Sequence, residues 1–178
     1  RAVARLKSVF VTFYKALDTE HAVHKDWLSF MHPMGALYNK DKELEVQLQI
    51  GARLFPQYPI RSVSETFAQL KKSVGILGSN FHSVSMTPMQ YRYDHFVVGI
   101  DTEKAIGASY TGLSTRAGDL LSLRVKSTGT MLASEMPSQV HIVLHSDNML
   151  EISNAGVSVY DWLKTKINTK KVTIKKNN

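Results

Sequence analysis

The chain has 178 residues, 43% of them apolar, a formal charge of +7 and no cysteine. That length suits one domain with a sizeable core, and the missing cysteines exclude disulfides, thiol catalysis and cysteine-ligated zinc. No uninterrupted apolar run approaches membrane-spanning length, and the first residues carry no secretory signal pattern.

Val3 to Tyr14 reads as a strand: Val9, Val11 and Phe13 alternate with Ser8, Phe10 and Thr12, and β-branched and aromatic residues dominate. Residues 18–42 read as an irregular connection ending in the polar turn Asn39-Lys40-Asp41-Lys42. A connection this long usually makes contacts or carries function. Its Trp27, Phe30 and Met31 make it the candidate contact with a neighbouring subunit; folding over its own sheet is the competing reading.

The most informative stretch follows. Leu44, Val46, Leu48 and Ile50 point one way, and Glu45, Gln47 and Gln49 the other, the period of a strand with one buried and one wet face. Phe55-Pro56-Gln57-Tyr58-Pro59 is expected to be a stiff bend, because each proline fixes its own φ and restricts the residue before it. Ser62-Val63-Ser64-Glu65 then fits a capping box. Val63, Phe67, Leu70 and Val74 form one apolar helical stripe, with Lys71 and Lys72 near the negative end and Gly75 placed to close it. This is the one helix the pattern predicts, and it is expected to cover the open end of a β-sandwich.

Beyond it, a short strand is expected near Phe81 to Ser85, ended by Pro88. Tyr91 to Ile100 reads as a strand, with Tyr91, Tyr93, His95 and Val97 on one face and Phe96 and Val98 on the other. Thr111 to Asp119 is a shaped loop. Leu120 to Lys126, with Leu121, Leu123 and Val125 facing in, Val140 to His145, Met149 to Ile152 and Val157 to Tyr160 complete a set of about eight short strands. Strands at this spacing, without βαβ alternation, predict an antiparallel sandwich or barrel.

The charge is concentrated at one end. Lys164, Lys166, Lys170, Lys171, Lys175 and Lys176 supply six of the seven net charges, and no acidic residue follows Asp161, so the preceding chain sits near +1. This describes a basic arm on a neutral domain. It either remains a solvated terminus or touches nucleic acid, an anionic membrane or another subunit. Its lack of arginine and aromatics argues against base readout or stacking.

No catalytic constellation emerges. His141 and His145 would lie about 13 Å apart on a strand, too far to share an ion, and His21 and His24 with Asp26 lack three-ligand spacing. There is no Gly-x-Ser-x-Gly, and the 111–119 loop lacks the spacing and Lys-Ser/Thr ending of a phosphate loop. The expectation is a non-enzyme with no cofactor, no metal and no small-molecule substrate.

Three segments carry a family resemblance. They are Gln47-Leu48-Gln49-Ile50-Gly51-Ala52-Arg53-Leu54-Phe55-Pro56-Gln57-Tyr58-Pro59-Ile60-Arg61-Ser62 with its helix, Tyr110-Thr111-Gly112-Leu113-Ser114-Thr115-Arg116-Ala117-Gly118-Asp119-Leu120-Leu121, and Asp147-Asn148-Met149-Leu150-Glu151-Ile152-Ser153-Asn154-Ala155-Gly156-Val157-Ser158-Val159-Tyr160-Asp161. In this order they resemble the C-terminal jelly roll of double jelly-roll major capsid proteins, of the kind carried by Polinton and adintovirus-like double-stranded DNA elements. The resemblance implies an eight-stranded antiparallel jelly-roll sandwich with one short amphipathic helix. It implies a viral structural protein that self-assembles into trimeric capsomers and an icosahedral shell, located in the virion capsid and assembled inside the host cell. A double jelly roll needs far more residues, so residues 1–163 are expected to be one jelly-roll domain, the C-terminal half of a longer chain or a single jelly roll, followed by the basic tail 164–178. Implied partners are copies of the same subunit, an N-terminal jelly roll, and genome or internal membrane for the tail. The alternative from another class is a lectin-like, non-enzymatic jelly-roll binding module.

Overall fold

Strand β1 (Leu6–Tyr14) lies at the centre of one three-stranded antiparallel sheet, between β4 (Val97–Asp101) and β6 (Gln139–Ser146). Strand β2 (Leu44–Ile50) lies at the centre of another, between β3 (Arg53–Ile60) and β5 (Leu121–Ser127). Strands β7 (Met149–Ser153) and β8 (Gly156–Tyr160) form a separate antiparallel hairpin, and two helices, α1 (Val63–Ser73) and α2 (Pro88–Tyr93), lie between β3 and β4 in the chain. The computed structural model describes residues 3, 5–14, 30–35, 42–77, 81–102, 112–115, 120–127, 129, 137, 139–154 and 156–160. Within them the protein is mainly β, and all strand pairs in its sheets are antiparallel.

The two central strands follow their sequence periods. Val9, Val11 and Phe13 are buried while Phe10, Thr12 and Tyr14 are half-exposed, and Leu44, Val46, Leu48 and Ile50 are all buried. Paired residues on neighbouring strands share a face. Val9 pairs with Ile100 and Leu144, and Val11 with Val98 and Ile142, so apolar side chains of three strands line up on one side of that sheet. Both three-stranded sheets, α1 and α2 contribute to one continuous apolar cluster. Two buried threonines beside it are hydrogen-bonded to distant backbone. The Thr102 hydroxyl donates to the carbonyls of Leu6 and Lys7, beside the register shift in the β1–β6 ladder, and the Thr115 hydroxyl accepts from the Val3 N–H.

Several expectations are corrected. First, Phe55 to Pro59 does not leave the sheet as a bend: it belongs to β3. The ladder with β2 runs Ile50↔Arg53, Gln49↔Leu54, Leu48↔Phe55 and resumes at Val46↔Ile60, so the proline-containing residues bulge out between two paired segments. Proline cannot donate to a ladder and is tolerated on an edge strand or at a bulge; β3 is both. The bulge also explains why Gln47, read as solvent-facing, is buried: its amide donates to the Pro56 and Gln57 carbonyls at 3.1 and 3.2 Å. Gln47→Leu removes both donors at nearly constant volume. It should lower stability by about 1–2 kcal/mol, read as a lower urea midpoint with unchanged slope; no change in midpoint would mean that water replaces the amide fully.

Second, there are two helices among the described residues, not one. Thr87 caps α2 in a full capping box, its hydroxyl accepting from the Gln90 N–H while the Gln90 side chain accepts from the Thr87 N–H. Pro88, read as a stop, occupies the first helical turn, where its missing N–H has no helical partner to lose. Tyr91 to Tyr93 is therefore helical, and the strand expected over 91–100 shrinks to β4.

Third, the residues around Phe81 to Ser85 form no strand, and Phe81 is 94% exposed. Fourth, the apolar stripe of α1 is narrower than its sequence suggests. Leu70 and Thr66 are buried and Phe67 is half-buried, but Val74 is exposed. The helix ends as its glycine predicts: Gly75, at φ +78°, donates to Lys72 O while Ile76 donates to Lys71 O, the paired bonds of a Schellman closure. Its start departs in one detail, since the Glu65 carboxylate accepts from Arg61 N–H, not from the Ser62 N–H. Val125, expected to face in, is also exposed, because β5 is an edge strand whose far end lies outside the core cluster.

Helix α1 lies against β4 at very short range. A Cβ on Gly99 would sit 2.9 Å from the Leu70 Cα and 2.9 Å from the Ser73 Oγ, so only glycine permits this approach. Gly99 pairs with Phe10, which places α1 on the side of the sheet opposite Val9 and Val11. Lys72 adds an ion pair to Asp101 at 3.6 Å across the same contact.

Candidate subunit-contact surface

Of the three residues expected to contact another subunit, Trp27 lies outside the described residues, while Phe30 and Met31 are half-buried. Phe30 opens a short extended segment that docks beside the end of α2. Its N–H donates to Asp94 O at 3.1 Å, its carbonyl accepts from Phe96 N–H at 2.7 Å, and the His32 N–H donates to Arg92 O at 3.0 Å. The Phe30 ring meets Tyr14 of β1 edge-on, centroids 5.3 Å apart. This part of the long connection thus folds onto its own sheet, and Phe30 has one side engaged there.

A buried polar cluster that sequence reasoning missed holds the segment down. Arg92 is almost fully buried in the last turn of α2. Its Nε donates to Gly35 O at 3.0 Å and its Nη2 to Lys42 O at 3.2 Å, so one guanidinium ties together the two residues that flank positions 36–41. Its Nη1 lies 3.9 Å from the Glu43 carboxylate. Burial raises the Glu43 carboxyl above its ordinary range, and the Arg92 charge partly opposes that rise. His32, also fully buried, stacks edge-on against Phe96 with centroids 4.4 Å apart, and its Nδ1 accepts from Met34 N–H at 3.1 Å. An accepting Nδ1 places the proton of the neutral ring on Nε2. Burial first, and the Arg92 charge second, hold the His32 pKa down to about 3. The Tyr91 hydroxyl, pushed well above its usual range by burial, donates to Val97 O at 2.7 Å. Arg92, His32 and Tyr91 are thus each hydrogen-bonded to backbone groups, as structural anchors are.

The remaining candidates are dispersed. His141 packs on the Tyr14 ring, centroids 4.6 Å apart, and His145 Nδ1 lies 3.1 Å from the Ser8 hydroxyl, four residues further along the same strand. His95 contacts the Asp94 carboxylate on the surface. Among the described residues no three His, Asp or Glu side chains converge as a metal site would require, and no helix is long and apolar enough to cross a membrane. His21, His24, Arg116, Asp119 and the lysines Lys164, Lys166, Lys170, Lys171, Lys175 and Lys176 lie outside the described residues.

What the described surface does carry is exposed apolar strand. Val140, Ile142 and Val143 on β6, Leu150 and Ile152 on β7 and Val157 on β8 are all exposed, as are Met89 and Tyr93 one helical turn apart on α2. Scattered exposed apolar residues are ordinary and only a contiguous patch points to a binding surface; β7 and β8 form a sheet separate from that of β6. Searches of family models, of curated proteins and of solved structures found no match for this chain.

Proposed function

We propose that the protein is a non-enzymatic structural subunit of a viral shell, a jelly-roll domain that assembles with copies of itself into trimeric capsomers. The observation that carries this reading is the apolar exposure on β6, β7 and β8, joined to an antiparallel framework whose two three-stranded sheets share one core. Strands that leave valine, isoleucine and leucine in water are poorly suited to an isolated monomer and well suited to a subunit that completes its burial against neighbours. In this reading the two sheets are the faces of a jelly roll, the resemblance of the 47–62, 110–121 and 147–161 segments supplies the capsid assignment, and the lysine-rich 164–178 tail meets genome, an internal membrane or an adjoining subunit.

Light scattering and electron microscopy of the purified chain, alone and with any N-terminal jelly roll it is made with, test this directly. Trimers or larger particles are the expected result. A stable monomer that binds sugar would favour the lectin-like module instead. Trp27→Ala should weaken the assembly more than it lowers the melting temperature; a large loss of stability with assembly intact would assign Trp27 to packing within the subunit. Truncation after Leu163 separates the roles of the tail across a salt series. Loss of assembly at all salt concentrations indicates strand addition by Val172-Thr173-Ile174. Loss of only a salt-sensitive association with nucleic acid or anionic vesicles indicates an electrostatic arm.

A further inference from the structure

Residues 30–35 lie over the core without joining it. Phe30 and Met31 are half-buried and Met34 is buried, yet none of them belongs to the continuous apolar cluster that the two three-stranded sheets build with the helices. The attachment of the segment is largely polar. Three backbone hydrogen bonds join Phe30 and His32 to Arg92, Asp94 and Phe96, and Arg92 Nε donates to Gly35 O at 3.0 Å. His32 sits in the middle, 1% exposed, its ring on Phe96 and its Nδ1 accepting from Met34 N–H. A segment held by a few hydrogen bonds and ring contacts opens at lower free energy than the strands beneath it.

We propose that residues 30–35 form an acid-released strap: protonation of His32 detaches the segment from α2 and Phe96 while both three-stranded sheets stay folded. The closed segment has no place for a second proton on this ring. An imidazolium carries an N–H on both nitrogens, so Nδ1 would face the Met34 N–H donor, and a new charge would be buried beside Arg92, which Gly35 O and Lys42 O hold in place. In the open form water solvates that charge. The open form therefore takes up its proton near the ordinary value of 6.5, whereas the closed form excludes it down to about 3, and opening is favoured as pH falls through that window. The other titratable groups around the segment are Arg92 and Tyr91 of α2, Asp94 with His95 at the end of that helix, Glu43 beside Arg92, and Tyr14 of β1 with His141 packed on it. Arg92 stays charged and Tyr91 neutral in acid, Glu43 opposes the release because its raised carboxyl favours the closed form once protonated, and His95 and His141 are exposed. The strap is independent of the viral-shell reading.

Amide hydrogen exchange of the full chain, followed residue by residue by NMR and corrected for intrinsic rates, tests this. The N–H groups of Phe30, His32 and Phe96 report the strap, and those of Val11 and Leu48 on the two central strands report the sheets. Strap protection should be about tenfold or more below sheet protection at pH 7, should not change in low urea where sheet protection falls, and should drop about 25-fold from pH 7 to pH 5. Equal protection at all these positions would make the segment part of one cooperative unit, and pH-independent strap protection would remove His32 from the device; either result overturns the proposal. His32→Asn should keep the strap closed at pH 7 and abolish the drop; an undiminished drop in that variant assigns it to other groups and also overturns the proposal. A second reading needs no change at His32. Met34 is 5% exposed in a chain without cysteine, so the thiol of Met34→Cys is hidden in the closed form. Its reaction with a pyridyl disulfide should accelerate from pH 7 to pH 5 relative to that of Val11→Cys in the sheet, and a constant ratio would mean that acid opens the domain as a whole or not at all.

Discussion

Phe96→Ala should lower stability by about 3–5 kcal/mol, the range for removing a large aromatic from a packed core. Phe96 is 1% exposed and sits where three otherwise separate pieces of chain meet. Its ring lies 6.3 Å from Phe13 of β1, 4.4 Å from His32 of the 30–35 segment and 5.3 Å from Tyr91 of α2. Its own N–H donates to the Phe30 carbonyl, so the side chain and backbone of one residue fasten the same segment. Truncation leaves a cavity shared by elements distant in sequence, and such a site collapses poorly because each wall is held by its own hydrogen bonds. For a domain of this size the loss corresponds to a fall in melting temperature of roughly 6–20 °C. Phe81→Ala is the contrasting variant, since that ring is 94% exposed and should change stability by less than about 0.5 kcal/mol. Equal effects at the two positions would mean that the core is not centred on Phe96.

Acid should destabilise the fold through His32. Its pKa in the folded protein is about 3, against 6.5 for the unperturbed side chain. In the window between those values the unfolded chain takes up a proton that the folded protein excludes, so stability falls as pH is lowered from 6.5 and levels off below 3. The difference amounts to about 4–5 kcal/mol across the whole window. The physical block is specific. Protonating Nδ1 would set its N–H against the Met34 N–H it now accepts from, and would place a second buried cation near Arg92. Glu43 acts with the opposite sign: its raised pKa favours the protonated carboxyl in the folded protein, so its contribution to stability is lost as pH rises through the carboxylate range. His32→Asn keeps an acceptor near the Nδ1 position and removes the titration. Denaturant unfolding of both proteins from pH 7 to pH 3 should show a steep loss in the parent and a shallower one in the variant. Parallel curves would assign the acid sensitivity to other groups.

Much of the strand framework was legible in the chain because the signal for it is local. The alternation at Leu44 to Ile50 and at Val9 to Phe13 needs only period-2 burial, and the Ser62 cap and Gly75 closure of α1 need only backbone hydrogen bonding within a few residues. The same local chemistry is present at Thr87-Pro88-Met89-Gln90, a capping box with proline in its preferred first-turn place, but the alternation of Tyr91, Tyr93 and His95 beside it imitates a strand. What tertiary structure alone decided is which of these elements meet. Pro56 and Pro59 stay in a strand because β3 lies at an edge and Gln47, nine and ten residues away from the carbonyls it serves, completes the bulge. Arg92 and His32 look like surface residues by composition, and become buried anchors because α2 and the 30–35 segment pack together and supply carbonyl and N–H partners. The charge-free run of β6 can be read directly from its sequence. That this run forms an outer strand, beside edges guarded by proline, arginine and lysine, follows from strand order, a property of pairings between residues more than a hundred positions apart that no local pattern encodes.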